Sequence, residues 1–462
     1  MKRLITFPII FALLAAICNM GIANAGGWKK SYQAGTIDKN GNFMGGTEIM
    51  FLTPHEGKLY AGTSLLFNAQ GDNRDKGAQI LVKESADSAW KLDYQADIKK
   101  MRVDALNSVT FRTDGKGIDL KQPVTLLIAG LGDTTSPVAE AAVCVRDDKT
   151  NQWIKVLLDA KPAKFGGIRY CTVRAFALHR DRVTGVDRVF AGAYPGGIFI
   201  GVYDANVPGN IRWDKAPEFS DFEERVMSFG ECNGDLYVAI KPAIYKRVDG
   251  PTPSWVKVYE YELEGMESRP SIQGGSSGMR GLTAIKNPKG SGEVLLMALE
   301  SSKGKILYLD PSDKYKETVE LDINSFLNKQ WGKGKESINI SLSIVALDSI
   351  EPVVDPKTGK QVLLMGALFV SNNRPHQESA WYLIRHSDAS YTLHEVQYIY
   401  DKRRSSHQLE AVRSIRVSPF QADHGNTIYV GGYATALFDE HNTAWIYCAD
   451  IHTVMEIANG KK

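Results

Sequence analysis

RAFALHRDRVTGVDRVFAGAY, residues 174–194, places two short apolar runs on either side of a polar turn. RAFAL (174–178) and RVFAGAY (188–194) are too short for helices and suit buried strands. HRDRVTG between them carries Gly185, which supplies a positive φ at a tight turn. The same pair of runs recurs along the chain. First runs are EIMFL, NSVTF, RAFAL, RVMSF, RGLTA, LSIVAL and RSIRV, beginning at residues 48, 107, 174, 225, 280, 342 and 413. Each is followed by a turn and a second run, such as KLYAGTS (58–64), DLYVAIK (235–241) or TIYVGGY (427–433). A third and often a fourth strand then follow around a polar bend, as in IYKRVDGPTPSWVKVYEY (244–261).

Seven units of strand–turn–strand–loop–strand–turn–strand predict an all-β protein, a seven-bladed β-propeller of four-stranded antiparallel blades. Helical repeats are disfavoured because a 3.6-residue apolar period is sparse. The first 25 residues read as a secretory signal peptide, with Lys2 and Arg3 before an apolar stretch and Ala23-Asn24-Ala25 as the cleavage signal. Residues 26–462 would then form one propeller domain, exported to the periplasm or beyond the cell, without a membrane span and monomeric. WKKSYQAG (28–35) is expected to lend an outer strand to the last unit, tying the two ends together.

The chain resembles the β-propeller superfamily throughout this region. HRDRVTGVDRVFAG (179–192) and RGLTA (280–284) are similar to a group of secreted bacterial propeller proteins without an assigned function. The resemblance implies fold and export, and it carries over no catalytic residue. The Trp-Asp, kelch and sialidase box signatures are absent.

Without Lys2 and Arg3 the chain has 53 basic residues (55 − 2) against 53 acidic ones. A neutral balance argues against nucleic acid as a partner. Cys144, Cys171, Cys232 and Cys448 lie far apart and read equally as one or two bridges or as buried thiols. No cofactor is predicted. GDNRDKG (71–77) and LDPSDK (309–314) could hold a structural calcium ion, although turn chemistry accounts for them better.

In a propeller the first strand of each blade lines the central axis. Aligning the seven first runs puts Glu48, Asn107, Arg174, Arg225, Arg280, Leu342 and Arg413 around one mouth. The loops after the second runs bring Asp133, Tyr194, Lys241, Glu300, His376 and Tyr433 to the same face, with Arg102 and His407 just upstream of first runs. Clustered guanidinium groups suit carboxylate, sulfate or phosphate. The expected ligand is an anionic, uronate-type glycan bound by Arg174, Arg225, Arg280, Arg413, Glu48, Lys241, Asp133 and His376. Cleavage would take one of two forms. A lyase would use Tyr194, Tyr433 or His407 as base and acid, and a hydrolase would use carboxylates such as Glu48, Asp133 or Glu300. The bland alternative pairs each arginine with an acid on the next blade, Glu48, Glu223, Glu224, Glu300 and Glu410 being the candidates. The other functional class is a non-catalytic scaffold that displays loops to a protein partner. His55 and His179 are expected to be turn or surface residues on the opposite face.

Overall fold

The computed structural model describes residues 27–65, 77–98, 100–133, 141–158, 163–165, 168–220, 222, 224–262, 278–331, 337–371, 379–396, 409–434 and 442–456. The expected leader, His376, His407, Glu223 and most of GDNRDKG lie outside them, as does the side chain of Asp133.

The fourth unit shows how sequence becomes structure. Val226–Cys232, Asp235–Ile240, Ala243–Val248 and Ser254–Glu260 pair in order as an antiparallel meander. Asn233 and Gly234 turn the first hairpin, with φ of 50° and 76°, conformations that Asn and Gly tolerate best. The second strand, DLYVAI, is buried at all but its first residue. An unbroken apolar run fits a strand covered on both faces. The outermost strand is mostly exposed and includes Lys257 and Glu260.

Two other units form separate sheets of the same order, beginning at Gly278 and at Ile340. A thirteen-stranded sheet contains three further meanders, starting at Glu48, Lys100 and Ile168. Short ladders join them, Ser64 opposite Arg102 and Cys171 opposite Asp133. In the last sheet Lys29–Gln33 pairs antiparallel with Ala444–Asp450, outside Thr427–Ala434 and Leu409–Val417. The start of the chain thus completes the last unit. Trp28 anchors it, 2% exposed and edge-on to Tyr382 at 6.0 Å between ring centroids.

First strands touch in the order Glu48–His55, Lys100–Thr113, Ile168–Arg180, Val226–Cys232, Gly278–Lys286, Ile340–Val354, Leu409–Val417, and the last touches the first. The repeated small residue of the second strands explains the closeness. A Cβ on Gly62 would lie 2.6 Å from Val103, on Gly192 2.6 Å from Val226, and on Gly431 2.6 Å from Ile49. On Gly130 and Gly366 it would strike the carbonyl oxygens of Val173 and Val412 at 2.3 and 2.4 Å. Each notch receives the first strand of the next unit.

Beside these notches the first strands bulge. The ladder to the second strand skips Met50, Asp104, Arg174, Met227 and Arg413, each between two residues it includes. Gly281-Leu282 and Ala346–Ser349 are the wider bulges of the fifth and sixth units. A bulge re-aims side chains that plain alternation would send elsewhere.

Several expectations change here. In the second and sixth units the bulge falls at Asp104 and at Ala346–Ser349 rather than at Asn107 or Leu342, so the sequence alignment is out of register there. His55 and His179 are buried strand residues, 3% and 2% exposed. Acidic partners from the next unit hold them: Asp148 for His55, and Glu231 and Asp249 for His179. The four cysteines are free thiols, three of them buried. At LDPSDK, Asp310 accepts from the Ser312 amide and hydroxyl, which is turn chemistry. An unexpected helix, Ile323–Trp331, covers the fifth and sixth units with Ile323 and Leu327. Among the described residues no helix is long and apolar enough to cross a membrane.

Candidate functional site

Where the first strands converge they enclose a pocket of about 150 Å³, lined by residues from all seven. Bulge residues supply much of its wall: Met50, Asp104, Arg174, Met227, Asp348 and Arg413. Arg280, Arg416 and the rings of Phe51, Phe176 and Phe229 complete the part used below. The structure therefore brings together Arg174, Arg280 and Arg413, three of the four arginines expected at one mouth.

Arg225 is not among the lining residues. The bulge beside it presents Met227 instead, and the Arg225 guanidinium lies over the Tyr194 ring, 5.7 Å from its centroid. Tyr433 likewise lies under Arg413, at 5.6 Å. Neither tyrosine lines the pocket. Lys241 is turned to Glu224, 2.9 Å away. Glu48 and Glu300 sit behind the wall as partners of arginines rather than on its surface.

Most of the positive charge is answered. Arg280, 7% exposed, donates through Nε to Glu300 and through Nη1 to the Leu347 carbonyl. Arg413 Nη2 is 2.9 Å from Glu48 Oε2. Arg416 Nη2 donates to Asp348 at 2.7 Å and its Nη1 to the Ser349 hydroxyl at 2.6 Å. Arg102 Nε is 2.9 Å from Asp104, which also accepts from Thr172. Of the pairings expected from the sequence, Arg413 finds Glu48 of the next unit, while Arg280 finds Glu300 of its own unit; the Arg102 and Arg416 pairs were not among those expected.

Arg174 differs. Among the described residues no acid forms an ion pair with it, and its buried Nη1 has no hydrogen-bond partner, a state shared by the Nε of Arg413. A buried donor left without a partner is costly. Its charge is felt next door: burial brings Arg280 down to about 10, and Arg174 and Arg413 press the same way against the pull of Glu300. Burial also pushes the Asp348 carboxyl up, opposed by Arg416 and Ser414.

Arg416, Asp348, Asp104 and Arg102 were not read as a set from the sequence. RSIRV does carry a signal. Arg413 and Arg416 are three apart, which puts them on opposite faces of a regular strand. The bulge at Arg413 brings both to the pocket. Among the described residues no group of three or more His, Cys, Asp or Glu is placed to hold a metal ion.

No protein-family model matches the sequence, and no curated protein matches it. Among solved structures the chain is similar to an α-L-arabinanase of Penicillium chrysogenum complexed with arabinobiose. The TM-score is 0.42 at 10% identity, over 93% of this chain and 99% of that one. It is also similar to a Trypanosoma rangeli sialidase in complex with sialic acid, with TM-score 0.38 and 10% identity over 93% of this chain. This chain spans 59% of that sialidase. At such values neither protein lends its chemistry to this one, and the site has to be read from its own residues.

Proposed function

We propose that the protein is a seven-bladed β-propeller whose central pocket binds a small anionic ligand, a carboxylate-bearing sugar of the uronate type being the class that fits best. Three features support the architecture: the cyclic contact of first strands, the notch repeated from unit to unit, and the N-terminal strand that completes the last sheet. The observation that carries the ligand reading is Arg174, a pocket guanidinium with a buried N–H that lacks a hydrogen-bond partner and, unlike Arg280, Arg413 and Arg416, with no ion-paired acid among the described residues.

A carboxylate seated against Arg174 would accept a hydrogen bond from its guanidinium and offset its repulsion with Arg280. The volume suits one acidic unit rather than a wrapped polymer, since drug-sized sites run to about 300–1,000 Å³. Asn107, Ser228 and Ser349 offer groups for sugar hydroxyls, and the phenylalanines offer apolar faces. Binding is favoured over cleavage, because Glu300 is committed to Arg280 and the two tyrosines stand outside the wall.

Calorimetric titration with D-glucuronate and D-glucose tests the reading. Glucuronate should bind and glucose should not. Arg174→Gln should weaken glucuronate about 10- to 100-fold, the worth of one hydrogen bond to a charged group. Unchanged glucuronate affinity in that variant would refute the assignment of Arg174.

A further inference from the structure

Across the pocket from Arg174, a donor short of an acceptor, stands an acceptor short of a donor. Asp348 lies in the wide bulge of the sixth unit and lines the pocket, its side chain 6% exposed. Its Oδ2 accepts from the Ser414 hydroxyl at 2.6 Å and from Arg416 Nη2 at 2.7 Å. Among the described residues its Oδ1 takes no hydrogen bond. The carboxylate is braced from behind: Ser414 accepts from the Leu52 amide at 2.9 Å, and Arg416 donates to the Ser349 hydroxyl. Burial pushes this carboxyl up, and Arg416 and Ser414 together do not cancel the effect, as expected of an anion with too few donors. Arg174 belongs to the third first strand and Asp348 to the sixth, as far apart as two members of a cycle of seven can be. Phe51, Phe176 and Phe229 line the pocket from the first, third and fourth units, none of them adjacent to the strand of Asp348.

We infer that Asp348 determines the specificity of this pocket: its Oδ1 accepts a hydrogen bond from a ligand hydroxyl, so the site takes hydroxylated acids and rejects carboxylates of similar size without hydroxyls. The inference rests on the anion-binding reading above and adds what the guest must carry besides its carboxylate. A ring whose carboxylate meets Arg174 and whose far hydroxyl meets Asp348 satisfies both groups, while its C–H bonds face the phenylalanines. A ring without hydroxyls would displace water from Oδ1 and offer nothing in exchange. A site built to bond a hydroxyl rejects the analogue lacking it, because its own buried polar group is then left unpaired. Apolar contact pulls the other way, since on the phenylalanines alone the hydroxyl-free ring would win. The order of the two affinities therefore reports on Asp348.

Calorimetric titration of the full-length protein with D-glucuronate and with cyclohexanecarboxylate at pH 7 tests this. Both probes carry one carboxylate on a six-membered ring, and only the first carries hydroxyls. Wild type should bind glucuronate at least about tenfold more tightly. Asp348→Asn keeps the shape and trades a charged acceptor for a neutral amide. It should cut the ratio of the two affinities about tenfold. Removing the charge favours both anions alike, so the ratio isolates the hydroxyl. Asp348→Ser, too short to reach the guest, carries the same expectation if Asp348→Asn fails to fold by circular dichroism. A residue that merely props Arg416 would weaken both probes together and leave the ratio intact. If the ratio survives in the folded variant, or if wild type takes cyclohexanecarboxylate as tightly as glucuronate, the role of Asp348 is overturned while the anion site stands. If wild type binds neither probe, both readings fall.

Discussion

Substituting Gly130 by alanine tests the packing that aims Arg174. A Cβ there would lie 2.3 Å from the Val173 carbonyl oxygen, where ordinary contact starts at 3.4 Å, so 3.4 − 2.3 = 1.1 Å must be found. The obstruction is backbone and cannot rotate away. Val173 directly precedes the bulged Arg174, so any yielding displaces the pocket arginine. Overpacking usually costs about 1–3 kcal/mol, and a backbone obstruction belongs at the upper end. Gly62→Ala meets Val103 Cγ1 at 2.6 Å. That obstruction is a side chain, so the cost should be nearer about 1 kcal/mol. Gly290→Ala, whose nearest neighbour would be 3.5 Å away, is the control. It should be neutral or stabilising by about 0.4–1 kcal/mol through the unfolded chain. Urea unfolding followed by tryptophan fluorescence ranks the three by midpoint, with the slope as a check on two-state behaviour. Glucuronate titration of Gly130→Ala should show weakened binding in addition. A Gly130→Ala protein as stable as the Gly290→Ala control would refute the notch as the device that seats one unit on the next.

Three more outcomes are expected. Trp28→Ala removes a buried ring from the strand that joins the two ends and should cost about 3–5 kcal/mol by the same unfolding assay. His179 should make stability fall with rising pH. Burial alone would lower its pKa, but bonds to Glu231 and Asp249 outweigh that and raise it. Its contribution is therefore complete below the unfolded value of about 6.5 and is lost as pH climbs through the raised folded value, a slope that His179→Gln should flatten. Thiol labelling of the native protein should favour half-buried Cys448. Burial pushes Cys144 up to about 11 and Cys232 up to about 12, and both should react only after unfolding.

The strand content was legible because second strands such as DLYVAI and VLLMAL are continuous apolar runs punctuated by Asn-Gly and Lys-Gly turns. The joining of the two ends was legible for a different reason: the last unit lacked an outer strand, and WKKSYQAG was available. Pocket composition was only half legible. Arg174, Arg280 and Arg413 were found by aligning unit with unit, which works where the bulge falls near the first apolar residue. It failed at Arg225, where the skipped residue is Met227, and in the second unit, where it is Asp104. A bulge depends on how the neighbouring unit's notch presses on the strand, which is a long-range property that local alternation does not encode. His55 and His179 were misplaced for a related reason. Their acidic partners come from the following unit, about 50–90 residues onward, and no spacing within one unit reveals them.

Lys29–Gln33 and Ala444–Asp450 share a sheet, yet Lys29 and its partner Cys448 are 448 − 29 = 419 residues apart. A ribosome adding about 5–20 residues per second delivers the second strand roughly 20–80 s after the first. For that interval the leading strand has an uncovered edge, and for most of it Trp28 has no Tyr382 to rest on. An open edge of this kind can pair with a second nascent copy on the same message. Fast translation, or a holdase that grips the tryptophan until the final hairpin arrives, would raise the yield of chains whose first and last strands are correctly paired.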